Sequence, residues 1–390
     1  MIDGRMKMKT VIMAGGRGMR IREQFPEIPK PLIPIRGRPV LEWEIRVLRE
    51  QGLRDLIVTV SHMADQVMRD FGDGERLGVH LEYVVEQEPL GTAGALFGLR
   101  DRLGSESFLL LNADTLFEVD LWQLVAFHRE HQALVTLLVH PGDHPWDCSV
   151  IVPDPEGVVQ ELLTPEMERP EWMMNCVNVG LQVMDPVILD RWSGKRGGPV
   201  NLDRHILRPL CGTGEMRCLC TTEYVRDMGT PERYEQVCRD VENGITKARR
   251  LGSRKRAVFI DRDSLLAFRD GEKVELIPGT GEAVRQINAC GALVFAVAVS
   301  PGPAGFSETD IRKSLDTLLV RNGAFLDGTL VLPETGLVEI LQRYNIDPAR
   351  SWLIGTIAAR ANPGCRVARN WADWMVSGLP EFARQMGPAE

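Results

Sequence analysis

Short apolar runs alternate with amphipathic stretches through the first half of the chain. Runs such as "TVIM" and "FLLLN" have the length of strands buried on both faces. Between them lie helix-like stretches, and in "PVLEWEIRVLREQG" Pro39 marks a start and Gly52 a stop. This alternation predicts an α/β fold in which helices cover both faces of a mixed, mostly parallel sheet.

The same alternation restarts after a short basic segment. Six Lys or Arg residues lie between Lys247 and Arg256, and we interpret residues 246–255 as a solvated basic linker in preference to a nucleic-acid patch. Strand and helix patterns then continue to the end. The sequence therefore predicts a first domain over residues 1–245 and a smaller α/β domain over residues 256–390.

Composition narrows the class of protein. The 390 residues are 44% hydrophobic and 26% charged with a net charge of −8, which gives no support to a nucleic-acid partner. Eight cysteines contain no C-x-x-C pair, a pattern typical of a reducing compartment. The apolar stretches are too short for a signal peptide or a membrane span. We expect a soluble cytoplasmic protein without a membrane partner and leave a homo-oligomer open.

A glycine-rich loop directly follows the first predicted strand. Glycines let backbone N–H groups approach a phosphate chain without Cβ clashes. The candidate nucleotide-binding residues are Ala14, Gly15, Gly16, Gly18 and the nearby Arg20. Lys30 follows between two prolines, which fix the direction of its ammonium group. By itself "AGGRG" is equally compatible with a tight turn.

Two aspartates stand near the ends of predicted strands. Asp114 follows "FLLLNA", and Asp227 lies in "EYVRDMGTPERY". Ligands bind at the carboxyl ends of strands in open α/β sheets, and Mg²⁺ takes few protein carboxylates plus phosphate oxygens. The two acids are therefore candidate Mg²⁺ ligands, provided that the fold brings them together.

Several motifs in order resemble the sugar-1-phosphate nucleotidyltransferases. They are "AGGRGMR…PKPLIPIRGRPVLE", "EQEPLGTAGAL", "LNADT", "VNVG" and "VRDMGTPERY". The resemblance covers about the first 245 residues and implies a Rossmann-like domain. It also implies that a sugar 1-phosphate oxygen attacks the α-phosphorus of a nucleoside triphosphate and displaces pyrophosphate.

The resemblance assigns roles to individual residues. The candidate catalytic residues are Arg20, Lys30, Asp114 and Asp227, with the two aspartates holding Mg²⁺. Gly91 is assigned to the nucleotide, while Lys30, Asn178 and Gly180 are assigned to the sugar phosphate.

Three positions depart from the family pattern. Met19 replaces a hydroxyl residue after the glycine loop, and Ala113 replaces a glycine. Thr164 stands where relatives place a lysine for the sugar phosphate, so a charge-assisted contact is lost. These changes predict weaker or redirected substrate binding.

The second domain resembles the haloacid dehalogenase-like phosphatases, in the branch that acts on heptose and histidinol phosphates. "AVFIDRDS" offers Asp261 and Asp263 as nucleophile and acid, and Ser300 ends the second motif. The lysine of this family is replaced by Leu332, and the metal-binding acids by Thr356 and a residue at or beside Ala359. These losses predict a degenerate site without phosphatase turnover, because such groups act as a unit.

The whole layout, including "HPWD", "NLDRHIL" and the "DMGTPER" that precedes the short linker, resembles a fusion of a heptose-1-phosphate guanylyltransferase with a heptose-1,7-bisphosphate phosphatase. It implies GTP and heptose 1-phosphate as substrates, with mannose 1-phosphate guanylylation as the nearest alternative. A catalytically inactive partner of an active paralogue is a further alternative. Retention of the four charged residues of the first domain disfavours that inactive protein, and the losses in the second domain disfavour a bifunctional enzyme.

Overall fold

A computed structural model describes residues 8–16, 18–86, 90–192, 198–250, 252–269, 273–298, 300–331, 336–357 and 363–384. The strands are β1 (Thr10–Met13), β2 (Pro34–Ile35), β3 (Arg38–Pro39), β4 (Asp55–Val60), β5 (His80–Val85), β6 (Phe108–Asn112), β7 (Thr115–Glu118), β8 (Val135–His140), β9 (Val150–Pro153), β10 (Val159–Leu163), β11 (Val177–Met184), β12 (Met216–Cys220), β13 (Tyr224–Asp227), β14 (Ala257–Asp261), β15 (Leu266–Arg269), β16 (Lys273–Leu276), β17 (Leu293–Ala298), β18 (Gly328–Val331), β19 (Trp352–Ile354) and β20 (Arg366–Ala368).

The α-helices are α1 (Val40–Glu50), α2 (Ala64–Phe71), α3 (Gly94–Gly98), α4 (Arg100–Leu103), α5 (Leu121–His131), α6 (Val187–Trp192), α7 (Pro231–Glu242), α8 (Ile245–Ala248), α9 (Thr280–Ala289), α10 (Glu308–Val320), α11 (Gly336–Arg343), α12 (Trp371–Asp373) and α13 (Leu379–Arg384). Short 3₁₀ turns lie at Lys30–Leu32, Glu75–Leu77, Pro145–Asp147, Arg208–Leu210, Arg262–Ser264 and Pro348–Arg350, and π-type turns lie at Leu202–Leu207 and Trp374–Gly378.

The first domain is built on a mixed nine-stranded sheet of the described residues. Its main path is β10-β9-β11-β6-β1-β4-β5, and β8 pairs with both β11 and β12. β1 is parallel to β4 and β6, whereas β11 runs antiparallel to β6. The carboxyl ends of β1 and β6 therefore meet at one edge, where the glycine loop begins. The predicted mixed, mostly parallel sheet is confirmed for this domain.

Helices pack on both faces of this sheet. Alternate strand residues point to opposite faces, so Ile12 of β1 joins the core under α1, α2 and α5. Val11, the preceding residue, joins the core under α3 and α6. α1 starts directly after Pro39 and ends before Gly52, which has φ of 85°. α7 starts with Thr230 as N-cap, whose Oγ1 accepts from Arg233 N.

A small two-stranded ladder brings distant segments of the first domain together. β7 pairs antiparallel with β13, with Thr115 opposite Asp227. Met228 N donates to Asp114 O at 2.9 Å. Two segments far apart in sequence are thereby joined where Asp114 and Asp227 lie.

The second unit has its own parallel sheet with strand order β18-β17-β14-β19-β20. α9 and α10 cover one face, and α11 covers the other. The strands at 257–261, 293–298 and 352–354 alternate along the chain with α9, α10 and α11. The sequence pattern did not indicate the β15–β16 hairpin, β18 or β20.

The basic segment between the two units is not a solvated linker throughout. Arg249 and Lys255 are buried. Arg249 donates from both terminal nitrogens to the carboxylate of Asp327 at 3.0 Å, and from Nη2 to Ala292 O at 2.9 Å. The expectation was wrong here because an acid from the second unit compensates a charge that would otherwise stay in water.

Among the described helices, none is both long and apolar enough to cross a membrane.

Candidate functional site

Two adjoining cavities open at the carboxyl edge of β1 and β6. The first, of about 370 Å³, contains the glycine loop, and the second, of about 330 Å³, contains Asp227. Met13, Thr92, Asn112 and Asp114 line both cavities. Asp114 therefore stands at the boundary between two compartments, each of a size suited to a small ligand.

The glycine loop lines the first cavity with little more than backbone. Ala14, Gly15 and Gly16 all border it. Ser61 Oγ donates to Gly15 O at 2.6 Å, and a Cβ on Gly15 would lie 2.8 Å from Glu86 Oε1. Gly18, with φ of 56°, instead lies against the side chain of Lys30. The loop thus keeps its polar backbone close to the cavity, as the sequence predicts.

Lys30 and Asp114 form an ion pair at the boundary of the cavities. Glu44 lies below them with its Oε1 accepting from Thr115 N at 3.2 Å, while its buried Oε2 has no hydrogen-bond partner. Burial, and then the charge of Asp114, raise the pKa of Glu44 well above its usual value. Glu44 is therefore harder to ionise than a carboxyl group in water.

Asp227 is held by two side chains on the other side of the boundary. Arg233 Nη1 donates to its Oδ2 at 2.7 Å, and His144 Nε2 lies 3.4 Å from its Oδ1. Gly229 N also donates to Oδ2 at 3.0 Å. Asp227 and Asp114 border the same second cavity, so the structure brings the two predicted acids together.

Charged side chains alternate in sign along this wall. Arg20 Nη1 lies 3.1 Å from Asp147 Oδ2, and the same carboxylate contacts Arg233. Arg233 in turn pairs with Asp227. Arg20 is thus connected to Asp227 through two intermediate charges, and its side chain is largely exposed.

His144 contacts two carboxylates and is positively charged. Its Nδ1 contacts Asp143, which also accepts from Arg226 Nη1 at 3.0 Å. Burial disfavours the imidazolium, but the hydrogen bonds to Asp143 and Asp227 outweigh it and raise the pKa of His144 to about 11. Burial would likewise raise the pKa of Asp227, yet His144 and Arg233 hold it well below its usual range. Asp227 is therefore an ionised carboxylate.

Gly180 and Gly91, two of the predicted binding residues, lie where an added Cβ would meet neighbouring atoms. Gly180 N donates to Asn178 Oδ1 at 3.2 Å, and both residues line the second cavity. At Gly180, with φ of 72°, a Cβ would lie 2.1 Å from Asn112 Nδ2. At Gly91, with φ of 82°, a Cβ would lie 2.4 Å from Val200 O. Gly91 borders the first cavity.

The three departures from the family pattern occupy different surroundings. Met19 is 67% exposed, and Ala113 is buried at the first cavity. Thr164 is buried, and its neighbour Pro165 lines the second cavity.

Two groups of side chains offer metal-ligand atoms among the described residues. Asp114 and Asp227 supply two carboxylates to one cavity, a donor set that fits Mg²⁺ because that ion takes few protein oxygens. Ligand atoms of His144, Asp147 and Cys148 lie within 4.8 Å of one another. His144 is protonated and therefore offers no lone pair to a metal ion, so this second group lacks its nitrogen ligand.

Comparison with known proteins decides the family. The Nucleotidyl transferase family profile matches residues 9–244, more than half of the chain. The chain belongs to the nucleotidyl transferase family.

Individual relatives of this nucleotidyl transferase agree with that assignment. Mannose-1-phosphate guanylyltransferase from Mycobacterium tuberculosis is 32% identical over 242 residues, covering 61% of this chain and 66% of the relative. The catalytic subunit beta of mannose-1-phosphate guanylyltransferase from Drosophila pseudoobscura pseudoobscura is 30% identical over 230 residues, covering 58% and 60% respectively. The chain thus spans just under two thirds of the length of these relatives.

A solved structure shares the fold of the nucleotidyl transferase domain. HddC from Yersinia pseudotuberculosis superimposes with a TM-score of 0.53 at 23% identity, covering 60% of this chain and all of HddC. A second HddC structure, complexed with GMP-PN, gives a TM-score of 0.52.

Three charged residues of the candidate site are not assigned a role by the sequence alone. They are His144, Asp147 and Arg233. "HPWD" and "TPERY" were both noted as motifs, but the pairing of Arg233 with Asp227 depends on α7 folding back over β13. The sequence offers one indication of this pairing: Asp227 and Arg233 are six residues apart, on either side of the helix N-cap Thr230.

In the second unit, the predicted phosphatase residues lie close together and are already bonded to one another or to neighbouring side chains. Asp261 is buried and contacts Thr356 Oγ1. Ser300 Oγ donates to Asp263 Oδ2 at 3.3 Å, and the buried Arg262 pairs with Asp263 at 2.8 Å. Arg262 also pairs with Glu308. Leu332 and Ala359 lie outside the described residues.

Proposed function

We propose that this chain transfers a nucleotidyl group from a nucleoside triphosphate, with GTP favoured, to a sugar 1-phosphate. The observation that carries the proposal is the pair of adjoining cavities with Asp114 between them. One cavity has the glycine loop, suited to a triphosphate, and the other has polar side chains suited to a sugar. The reacting phosphates would meet at the boundary.

In the proposed reaction, an oxygen of the sugar 1-phosphate forms a bond to the α-phosphorus of the triphosphate. The bond from that phosphorus to the bridging oxygen breaks, and pyrophosphate leaves. Lys30 would neutralise charge on the reacting phosphates, while Arg20 and the backbone of Gly15 and Gly16 would hold the triphosphate. Asn178 and Gly180 would orient the sugar. Positioning and charge stabilisation are sufficient roles for the protein in such a displacement.

We further propose that the reaction depends on Mg²⁺ held by Asp114 and Asp227. Both are carboxylates on one cavity, and the low pKa of Asp227 keeps it in the metal-binding form. When bound, the ion would neutralise phosphate charge. Lys30 and Arg233 pair with the two carboxylates and would balance their charge.

The substrate is proposed in two versions. The sequence resemblance to a fusion favours heptose 1-phosphate, whereas the two curated relatives carry the name of mannose-1-phosphate guanylyltransferase. GTP is common to both versions. Complex formation of HddC with GMP-PN also agrees with a guanine nucleotide, although HddC is similar to this chain only in fold.

The test is release of pyrophosphate from purified protein. The full chain is incubated with Mg²⁺, each of the four nucleoside triphosphates in turn, and heptose, mannose or glucose 1-phosphate. We expect release with GTP and either heptose or mannose 1-phosphate, and loss of release when EDTA removes the metal. Release from no pair would overturn the proposal and favour the inactive, scaffolding protein.

Matched carboxylate variants locate the site. Asp114→Asn should lower the rate of release by at least about 100-fold, since it removes a proposed metal ligand. Asp154→Asn, in the turn between β9 and β10, is the control and should leave the rate unchanged. If Asp114→Asn retained activity, the assignment of the metal site would be wrong.

We propose that the second unit does not hydrolyse phosphate esters. Its Asp261 is buried against Thr356, and its Asp263 is paired with Arg262. Incubation with heptose 1,7-bisphosphate and Mg²⁺ should release no phosphate. Phosphate release that Asp261→Asn abolished would contradict this and restore the bifunctional enzyme.

A further inference from the structure

The second unit contacts the first through one face of α10. Thr317 Oγ1 accepts from Met173 N at 2.9 Å and donates to Met173 O at 3.2 Å. Asp316 Oδ2 accepts from Asn175 N at 3.1 Å. One hydroxyl and one carboxylate of the second unit therefore bond to the backbone of Met173 and Asn175, in the short segment 173–175 that ends one residue before β11.

This contact is buried. Thr317 is 1% exposed and Asp316 is 7% exposed, and both Met173 and Asn175 are buried. A backbone N–H in such a place needs a partner, because leaving it without one costs free energy. In this chain the partners for Met173 and Asn175 come from α10, so the position of the segment depends on the second unit.

Asn175 passes the constraint on to the proposed active site. Its Oδ1 accepts from Gly142 N at 3.0 Å, and its Nδ2 donates to Gly142 O at 2.6 Å. Gly142 directly precedes Asp143 and His144, and His144 contacts Asp227. Hydrogen bonds therefore connect α10 with Asn175 and Gly142, the backbone continues from Gly142 to His144, and His144 contacts a proposed metal ligand.

The surface edge of this contact is weaker. Arg321, which follows α10, lies 5.3 Å above the ring of Trp172, and its Nη2 lies 3.4 Å from Glu171 O. These groups are partly exposed, so they contribute less than the buried pair. A substitution of Arg321 should therefore weaken the contact between the two units less than a substitution in the buried pair.

We propose that Asp316 and Thr317 are positioning residues for the nucleotidyl-transfer site, so that the second unit acts as a fixed support for the loop carrying His144. This rests on the proposed function. It gives the second unit a role that needs no chemistry of its own. The role requires contact with the first unit, and it explains why a buried acid and a buried hydroxyl face the first unit from α10.

The test begins with amide hydrogen exchange, which does not require activity. Thr317→Val replaces the hydroxyl with a methyl group of similar size, and Thr317→Ser keeps the hydroxyl. Thr309→Val is the matched control, because Thr309 is an exposed residue of the same helix. We expect exchange at Met173 and Gly142 to become about tenfold faster in Thr317→Val only. Unchanged exchange at Gly142 would overturn the proposal.

The second measurement is the rate of pyrophosphate release with the substrate pair found for the wild-type chain. We expect Thr317→Val to lower kcat about tenfold while KM for the triphosphate changes less than about twofold. Thr317→Ser and Thr309→Val should keep the wild-type kcat. A kcat of Thr317→Val equal to that of wild type would overturn the proposal, because the loop would then not need its support.

Two provisions separate the causes of failure. If Thr317→Val does not fold, Arg321→Met replaces it, and a roughly twofold effect in the same direction is expected; no effect on Gly142 exchange or kcat would count against the proposal. If the wild-type chain releases no pyrophosphate, the proposed function fails by itself. Exchange at Gly142 then decides whether α10 supports the loop.

Discussion

His144 joins two carboxylates, with its Nε2 3.4 Å from Oδ1 of Asp227 and its Nδ1 against Asp143. The imidazolium and Arg233 approach Asp227 from two sides, and together they keep a buried carboxylate ionised. On this wall Asp227 is paired with His144 and Arg233, and Asp147 is paired with Arg20 and Arg233.

Replacing His144 with glutamine should lower the rate of nucleotidyl transfer about tenfold. Glutamine retains one N–H donor but removes the positive charge beside Asp227, so the carboxylate becomes easier to protonate and less well oriented. Pyrophosphate release measures the effect. His80→Gln, at the exposed start of β5, should leave the rate unaltered. A His144→Gln protein as fast as wild type would show that the charge at this position is dispensable.

Gly91→Ala should destabilise the first domain by roughly 2 kcal/mol or more, since it adds a Cβ both at positive φ and against the backbone of Val200. Gly98→Ala is the matched control. Gly98 lies in α3, and its Cβ would meet no heavy atom within 4 Å. That change should be neutral or stabilise by about 0.5 kcal/mol. Chemical unfolding compares the two, and equal midpoints would contradict the expected clash.

Arg249→Met and Arg250→Met form a second matched pair. The side chains of Arg249 and Asp327 are 9% and 0% exposed, so Arg249→Met leaves a buried carboxylate without its partner and should cost about 3 kcal/mol. Arg250 is 52% exposed and makes only long contacts to Glu50 and Glu118. Its replacement should cost less than about 1 kcal/mol. Urea unfolding measures both variants. Equal losses of unfolding free energy would indicate that burial of the Arg249–Asp327 pair does not make it more important for stability than the exposed contacts of Arg250.

Asp316 should make the stability depend on pH. Burial raises its pKa to about 6, partly offset by Arg312 and by the N–H of Asn175; the thiols of Cys176 and Cys220 also lie near it. A raised folded-state pKa contributes stability below the unfolded value of 3.8, and this contribution is lost as the pH rises through 6.

Asp316→Asn lacks this titration while keeping an acceptor for Asn175. The free energy of unfolding of the variant, relative to wild type, should therefore rise by on the order of 3 kcal/mol between about pH 4 and about pH 7. Urea unfolding across this range measures it. A constant difference at all pH values would mean that burial does not raise the pKa of Asp316 above its value in the unfolded chain.

The elements with strong periodicity were predictable from the sequence. β1, β4 and β6 are continuous apolar runs, and α1 and α7 carry proline near their starts. β18 and β20 were missed because they are short and lie at or next to the edge of the second sheet, where patterning is weak.

The candidate acids and lysine of the site could be proposed from the sequence because each lies at or just after a strand end or between prolines. Their partners were not. The site depends on ion pairs between segments that are distant in sequence, which involve Asp147, Arg233 and His144. Arg249 was expected to be solvated because its partner, Asp327, belongs to the other unit. Local pattern carries no information about which charge meets which.

The β7–β13 ladder also orders events during synthesis. Asp114 and β7 leave the ribosome long before β13, whose pairing with β7 sets Asp227 beside Asp114. A nascent chain that ends before Tyr224 can form much of the main sheet but holds only one of the two carboxylates. A chain terminated in that interval would lack Asp227, one of the two proposed Mg²⁺ ligands, so pairing of the domain's last strand is the step that completes the proposed metal site.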